Sequence, residues 1–267
     1  GGSIYTLLAD MYLWRAAKNA SPDSVAKYGS KSQDDYQKVI EYCDAVLDMY
    51  MERYDRDNPM GGGTSSENNE NPYHLIRMNA NGGTQDVVDN VYDEIFVQKN
   101  SRESILELLF DGSTNSNTSL YNYRDNNGLY RHRDNNTGLL QASAPCQTVT
   151  RNIDNTSGLF SQSDIRRWQS LVYTEAGQRV YSIGKYTYQS ITHDNLEDNS
   201  EGTENAFIPT GSFSSNWIIY RLSDVLLMKA EAITRLDAPT TEQLQDAFNC
   251  VTMILYRSNP SVTTDRD

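Results

Sequence analysis

Two short segments hold the residue types best suited to chemistry: Tyr121-Asn122-Tyr123-Arg124-Asp125 and Tyr130-Arg131-His132-Arg133-Asp134. Flat aromatic faces stack on the apolar faces of pyranose rings, while Asn, Asp and Arg meet hydroxyl groups through hydrogen bonds. On this reading Tyr121, Tyr123 and Tyr130 are stacking surfaces, and Arg124, Asp125 and Arg131 are the hydrogen-bonding partners of a glycan. The alternative is that these tyrosines pack their loop onto the rest of the fold. Composition leaves both readings open: 18 Tyr accompany 6 Phe, and tyrosine joins an apolar face to a polar tip.

A turn pattern recurs around these segments. It reads Asp125-Asn126-Asn127-Gly128-Leu129, then Asp134-Asn135-Asn136-Thr137-Gly138-Leu139, then Asp154-Asn155-Thr156-Ser157-Gly158-Leu159. Asx side chains bond to their own backbone and glycine accepts positive φ, so each copy predicts a tight turn. Calcium is the rival reading, since these oxygens are hard ligands. The copies lack the alternating acidic positions and closing Glu of a calcium loop, so no cofactor is expected.

Catalytic signatures are absent: there is no GxSxG, HExxH, GxxxxGK[ST] or GxGxxG. His74, His132 and His193 stand apart, and a Cys146–His132 pair reads as incidental for a thiol beside Pro145. Glycoside hydrolysis needs only two carboxylates, which 36 acidic residues can always supply. Nothing isolates one of them in an apolar setting that would raise its pKa, so the chain reads as a binder, with a hydrolase as the weaker rival. A net charge of −13 and a pI near 4.6 argue against nucleic acid and anionic membrane surfaces. Cys43, Cys146 and Cys250 form no CxxC pair, and Cys43 and Cys250 fall on helical patterns where buried free thiols are expected.

The elements that must position these segments are mostly helical. Ile4, Leu7, Leu8, Met11, Tyr12 and Ala16 fall at helical spacing and predict one apolar stripe. A second helix is predicted from about Gln33 to Tyr54, with Tyr36, Val39, Ile40, Cys43, Val46, Leu47 and Tyr50 on one face. At the far end Tyr220–Leu236 and Glu242–Tyr256 repeat the arrangement around Pro239. The second of these carries Leu244, Ala247, Phe248, Val251, Ile254 and Leu255. Neither pair buries its stripe alone, so stacked antiparallel pairs are the natural arrangement.

Between the pairs, Asn58–Asn71 and Asp111–Ser163 have loop composition, and structureless segments of that length are usually functional or disordered. Val87–Phe96 reads as a short helix or turn, Ser104–Phe110 as a buried strand or helix turn, and Val180–Gln189 as a strand. Trp168 and Trp217 read as packing residues. The fold expected is mainly α: tetratricopeptide-like antiparallel helix pairs, a large loop-rich insertion and a few short strands. One domain spans 1–267, with helix pairs at about 4–54 and 220–256 and a ligand-binding part at about 58–215.

The segment Asn216-Trp217-Ile218-Ile219-Tyr220-Arg221-Leu222-Ser223-Asp224-Val225-Leu226-Leu227-Met228-Lys229-Ala230-Glu231-Ala232 resembles the R-x-A/S-D-V-L-L-M-x-A-E-A helix start of SusD/RagB nutrient-uptake lipoproteins. Its physical sense is structural: Asp224 stands near a helix N-terminus, Arg221 can pair with an acid, and Ala230 and Ala232 permit close helix packing. In collinear order, Leu7–Leu13, Tyr36–Leu47, Tyr92–Phe96 with Glu103-Ser104-Ile105, and Asp164-Ile165-Arg166-Arg167 with Lys185-Tyr186 resemble further family segments.

The resemblance implies an exported lipoprotein on the extracellular face of a Bacteroidetes outer membrane. Such a protein holds oligosaccharide or polysaccharide for a TonB-dependent, SusC-like transporter, without catalysis. The alternative function is a helical-repeat module that binds the transporter or a peptide. The family supplies no universal ligand motif, so no binding residue is transferred from it. The lipobox cysteine and the later C-terminal family element are not in this sequence, and the chain is expected to be incomplete at both ends.

Overall fold

A computed structural model describes residues 1–19, 23, 32–58, 71–78, 87–88, 91–115, 143, 149–150, 160–161, 164–166, 171–174, 180–183, 185–186, 188–192, 206–209 and 215–259. Four longer helices dominate these residues: α1 (Gly2–Asn19), α2 (Ser32–Asp57), α4 (Leu222–Thr234) and α5 (Thr241–Ser258), with a short α3 (Val91–Phe96) between the pairs. α1 packs on α2, α2 on α4 and α4 on α5, so the two sequence-distant pairs form one continuous stack. The mainly α expectation stands.

The inward faces follow the local sequence only in part. α2 buries Tyr36, Val39, Cys43, Val46 and Leu47, as its periodicity predicts. α4 buries Leu222, Val225, Leu226, Ala230 and Ile233, and leaves Leu227 exposed. Each fully buried aliphatic side chain here contributes about 1.5–3 kcal/mol. α1 corrects the expectation in part: Ile4, Leu7 and Met11 point outward with Trp14, while Tyr12 and Ala16 of the expected stripe do meet the core, joined there by Thr6 and Ala9. Small residues let two backbones approach closely, and that approach selects the small face over the larger apolar one. α5 departs only in part, since Ala247 and Ile254 of its expected face do meet the core. Ala247, Cys250 and Met253 face α4, and Leu244, Phe248, Val251 and Leu255 lie outside. Both outermost helices of the stack are thus apolar on two faces.

The helix ends have local causes. Thr240 caps α5: its hydroxyl accepts from Gln243 N at 3.2 Å, and Gln243 Oε1 accepts from Thr240 N at 2.9 Å. α4 starts at Leu222, two residues later than Tyr220, because Trp217–Arg221 is a strand that runs directly into it. There Asp224 Oδ2 accepts from the Arg221 N–H at 3.0 Å, the role its position near the N-terminus suggested.

Ten short strands pair two by two among the described residues. β1 (Arg77–Met78) and β2 (Val87–Val88) are parallel, as are β4 (Val149–Thr150) and β5 (Phe160–Ser161). β6 (Leu171–Thr174) pairs antiparallel with β7 (Val180–Ile183), and β8 (Tyr188–Thr192) with β9 (Ala206–Pro209). The single strand expected over Val180–Gln189 is therefore two strands with different partners. Between them Tyr186 takes φ of 71°, in the left-handed region where an extended strand cannot continue.

The pairing that matters most joins β3 (Ser104–Leu108) to β10 (Trp217–Arg221), antiparallel, with Trp217 opposite Leu108 and Arg221 opposite Ser104. The ladder is irregular between Ile218 and Arg221. It lies between two cores. One is the helical stack, joined by Leu75; the other collects Ile76, Val91, Tyr92, Ile95, Phe96, Ile165 and Tyr186, with Trp217 and Ile218 packed against it. Consecutive residues Leu75 and Ile76 thus enter different cores, and β10 leads from the second core into α4 of the first.

Candidate functional site

The six residues that sequence reading placed at a glycan site, Tyr121, Tyr123, Arg124, Asp125, Tyr130 and Arg131, lie outside the described residues. So do the three Asx–Gly copies at 125–129, 134–139 and 154–159, and Cys146, His132, His193 and Trp168. The described residues at the root of that loop-rich part form the candidate site instead. Asx chemistry of that kind is seen outside the copies, at residues 111–115. Asp111 Oδ1 accepts from the N–H groups of Ser113, Thr114 and Asn115 at 2.7, 2.8 and 2.9 Å, and Gly112 supplies φ of 81°. These bonds, Asn115's first, hold the Asp111 carboxyl below its ordinary range.

Three parts of the chain converge on the second core to build the site. Phe96 ends α3, Lys185 and Tyr186 connect β7 to β8, Trp217 opens β10, and Arg221 closes it. Tyr186 stacks on Trp217 with centroids 5.0 Å apart and meets Phe96 edge-on at 5.2 Å, which settles Trp217 as a packing residue. Lys185 Nζ lies 4.1 Å from the Phe96 centroid and 5.5 Å from that of Tyr186, and Arg221 Cζ lies 5.1 Å from Phe96. Two cations therefore share one ring. Burial, together with the charge of Arg221, pushes the Lys185 amine down to about 8. At the edge of the cluster Arg166 clasps the buried Asp164 through Nε at 2.9 Å and Nη2 at 2.5 Å, and lies over Phe160. Arg166 rises above its ordinary pKa through that hydrogen bond.

Beneath this cluster a buried ionic network joins the two cores. Glu103 is fully buried and accepts from Arg257 Nη1 through both oxygens, at 3.0 and 2.7 Å. Its Oε1 also accepts from Ile76 N at 2.7 Å, and Arg257 Nη2 donates to Ser223 Oγ at 2.7 Å. Burial works against the Arg257 charge, but Glu103 outweighs it and the net shift is upward. The network touches β3's entry, α4, α5 and the chain after Leu75, and it is closed on all sides by protein. That makes it a strut.

A similar device ties the stack itself. Lys229 Nζ, on α4, bridges Asp44 of α2 at 2.6 Å and Asp246 of α5 at 2.7 Å. Burial opposes its charge, and the hydrogen bonds to Asp246 and Asp44 more than restore it, so the amine stays protonated. Cys43 and Cys250 lie close by as buried free thiols, as expected, each pushed up to about 12, mainly by burial.

A different stack joins α2 to the chain after Asn71: Tyr54 and His74 lie parallel with centroids 4.0 Å apart, and Arg102 lies over Tyr54 while donating to His74 O at 3.1 Å. Sequence reading singled out Lys185-Tyr186, Arg221 and Glu103-Ser104-Ile105 separately, but no local signal said that they meet. Residues that meet from distant parts of the chain leave no periodicity behind. Among the described residues no group of three or more His, Cys, Asp and Glu is arranged to hold a metal. No described helix is long and apolar enough to cross a membrane.

Comparison with protein-family profiles matches the SusD family over residues 102–259, more than half of the chain. No curated protein and no solved structure matches it. The matched span runs from Arg102, beside the buried Glu103, to Asn259 at the end of α5. It includes both partners of the strut, Lys185, Tyr186, Trp217 and Arg221 of the aromatic cluster but not Phe96, and the segment 121–131.

Proposed function

The chain belongs to the SusD family, and from that premise we propose that it captures a glycan at the extracellular face of an outer membrane. It does so without catalytic turnover and passes the ligand to a TonB-dependent, SusC-like transporter. The observation that carries this reading is where the family match falls: its span encloses the tyrosine-, arginine- and Asx-rich segment 121–131. Tyr121, Tyr123 and Tyr130 supply stacking faces in this reading, and Arg124, Asp125 and Arg131 supply hydrogen bonds. Calorimetric titration of the full-length protein with a panel of plant and host glycans tests it. Binding to at least one glycan, lost when all three tyrosines become alanine, supports it. A panel without a binder would sink the glycan reading, and release of reducing sugar would favour a hydrolase.

One observation favours a second reading, a helical-repeat module that binds protein. α1 turns Ile4, Leu7, Met11 and Trp14 outward as a continuous stripe, with Trp14 68% exposed. Pull-down of the transporter that depends on this stripe and not on the tyrosines would favour docking as the main role.

A further inference from the structure

We draw no further inference here: the strongest candidate, the outward apolar stripe of α1 from Ile4 to Trp14 with its counterpart on α5 from Leu244 to Leu255, carries none because nothing in the structure shows what covers either face.

Discussion

Glu103 and Arg257, 154 positions apart, meet as an ion pair with side chains 0% and 2% exposed. Glu103 leads into β3 and Arg257 lies in the last turn of α5, so the pair fastens the second core to the helical stack. A buried pair of this kind is costly to half-remove, because the surviving charge has no water to turn to. Arg257→Met is expected to lower stability by about 3–5 kcal/mol. Combining it with Glu103→Gln, which keeps an acceptor for Ile76 N, should recover part of that loss. Urea denaturation of the two single variants and the double variant measures the coupling, and additive losses would show that the pair is not a unit.

The choice of inward face on α1 gives a contrast between neighbours. Ala9 is 0% exposed against α2, so Ala9→Leu should cost about 1–3 kcal/mol through overpacking. Leu7→Glu and Trp14→Glu lie on the outward stripe and should each change stability by no more than about 0.5 kcal/mol. Thermal melts of the three variants decide it, and the reverse order would mean that α1 is rotated.

Asp224 holds the start of α4 by accepting the Arg221 N–H and facing its guanidinium. Asp224→Ala removes that acceptor and should cost about 1–2 kcal/mol, the range for a lost helix cap. Hydrogen exchange should report the loss first at the amides of the first turn of α4.

The thiols of Cys43 and Cys250 predict an alkaline effect. Their folded values near 12 lie above the ordinary 9.0, so between those pH values the unfolded chain releases protons that the folded chain keeps. Stability therefore falls as pH rises through this window and is unaffected below it. Lys185, with its value lowered to about 8, works in the opposite sense from about 8 to 10.5, so the thiol contribution is read by comparison. Cys43→Ala should lose less stability than wild type between pH 9 and pH 11 in matched melts, where the thiol values above set the window. In a Cys146→Ser background neither remaining thiol should react with Ellman's reagent until the protein is denatured.

Periodicity is local, and so the existence and rough limits of α1, α2, α4 and α5 were readable directly. Tyr36 to Tyr50 marked the α2 face, and Asp224 marked the start of α4. Orientation failed in part where the pattern was ambiguous: Ala16 of the expected stripe is buried, but Leu7 and Met11 lie outside and Ala9, not in that stripe, is fully buried. On α5, likewise, Phe248 and Val251 of the expected face lie outside, while Ala247 of that face is buried. The tyrosines Tyr121, Tyr123 and Tyr130 remain a sequence argument, since they lie outside the described residues.

By itself, then, the sequence determined a mainly α protein of stacked helix pairs with a polar, tyrosine-rich middle and no recognisable catalytic motif. It also carried the family through the run from Asn216 to Ala232. Only the tertiary structure decided that Glu103 meets Arg257, that Lys229 bridges Asp44 and Asp246, and that Lys185 and Arg221 share the ring of Phe96. The physical reason is range. A helix face is written within a few residues, whereas a buried charge finds its partner through packing between segments whose separation leaves no trace in local spacing.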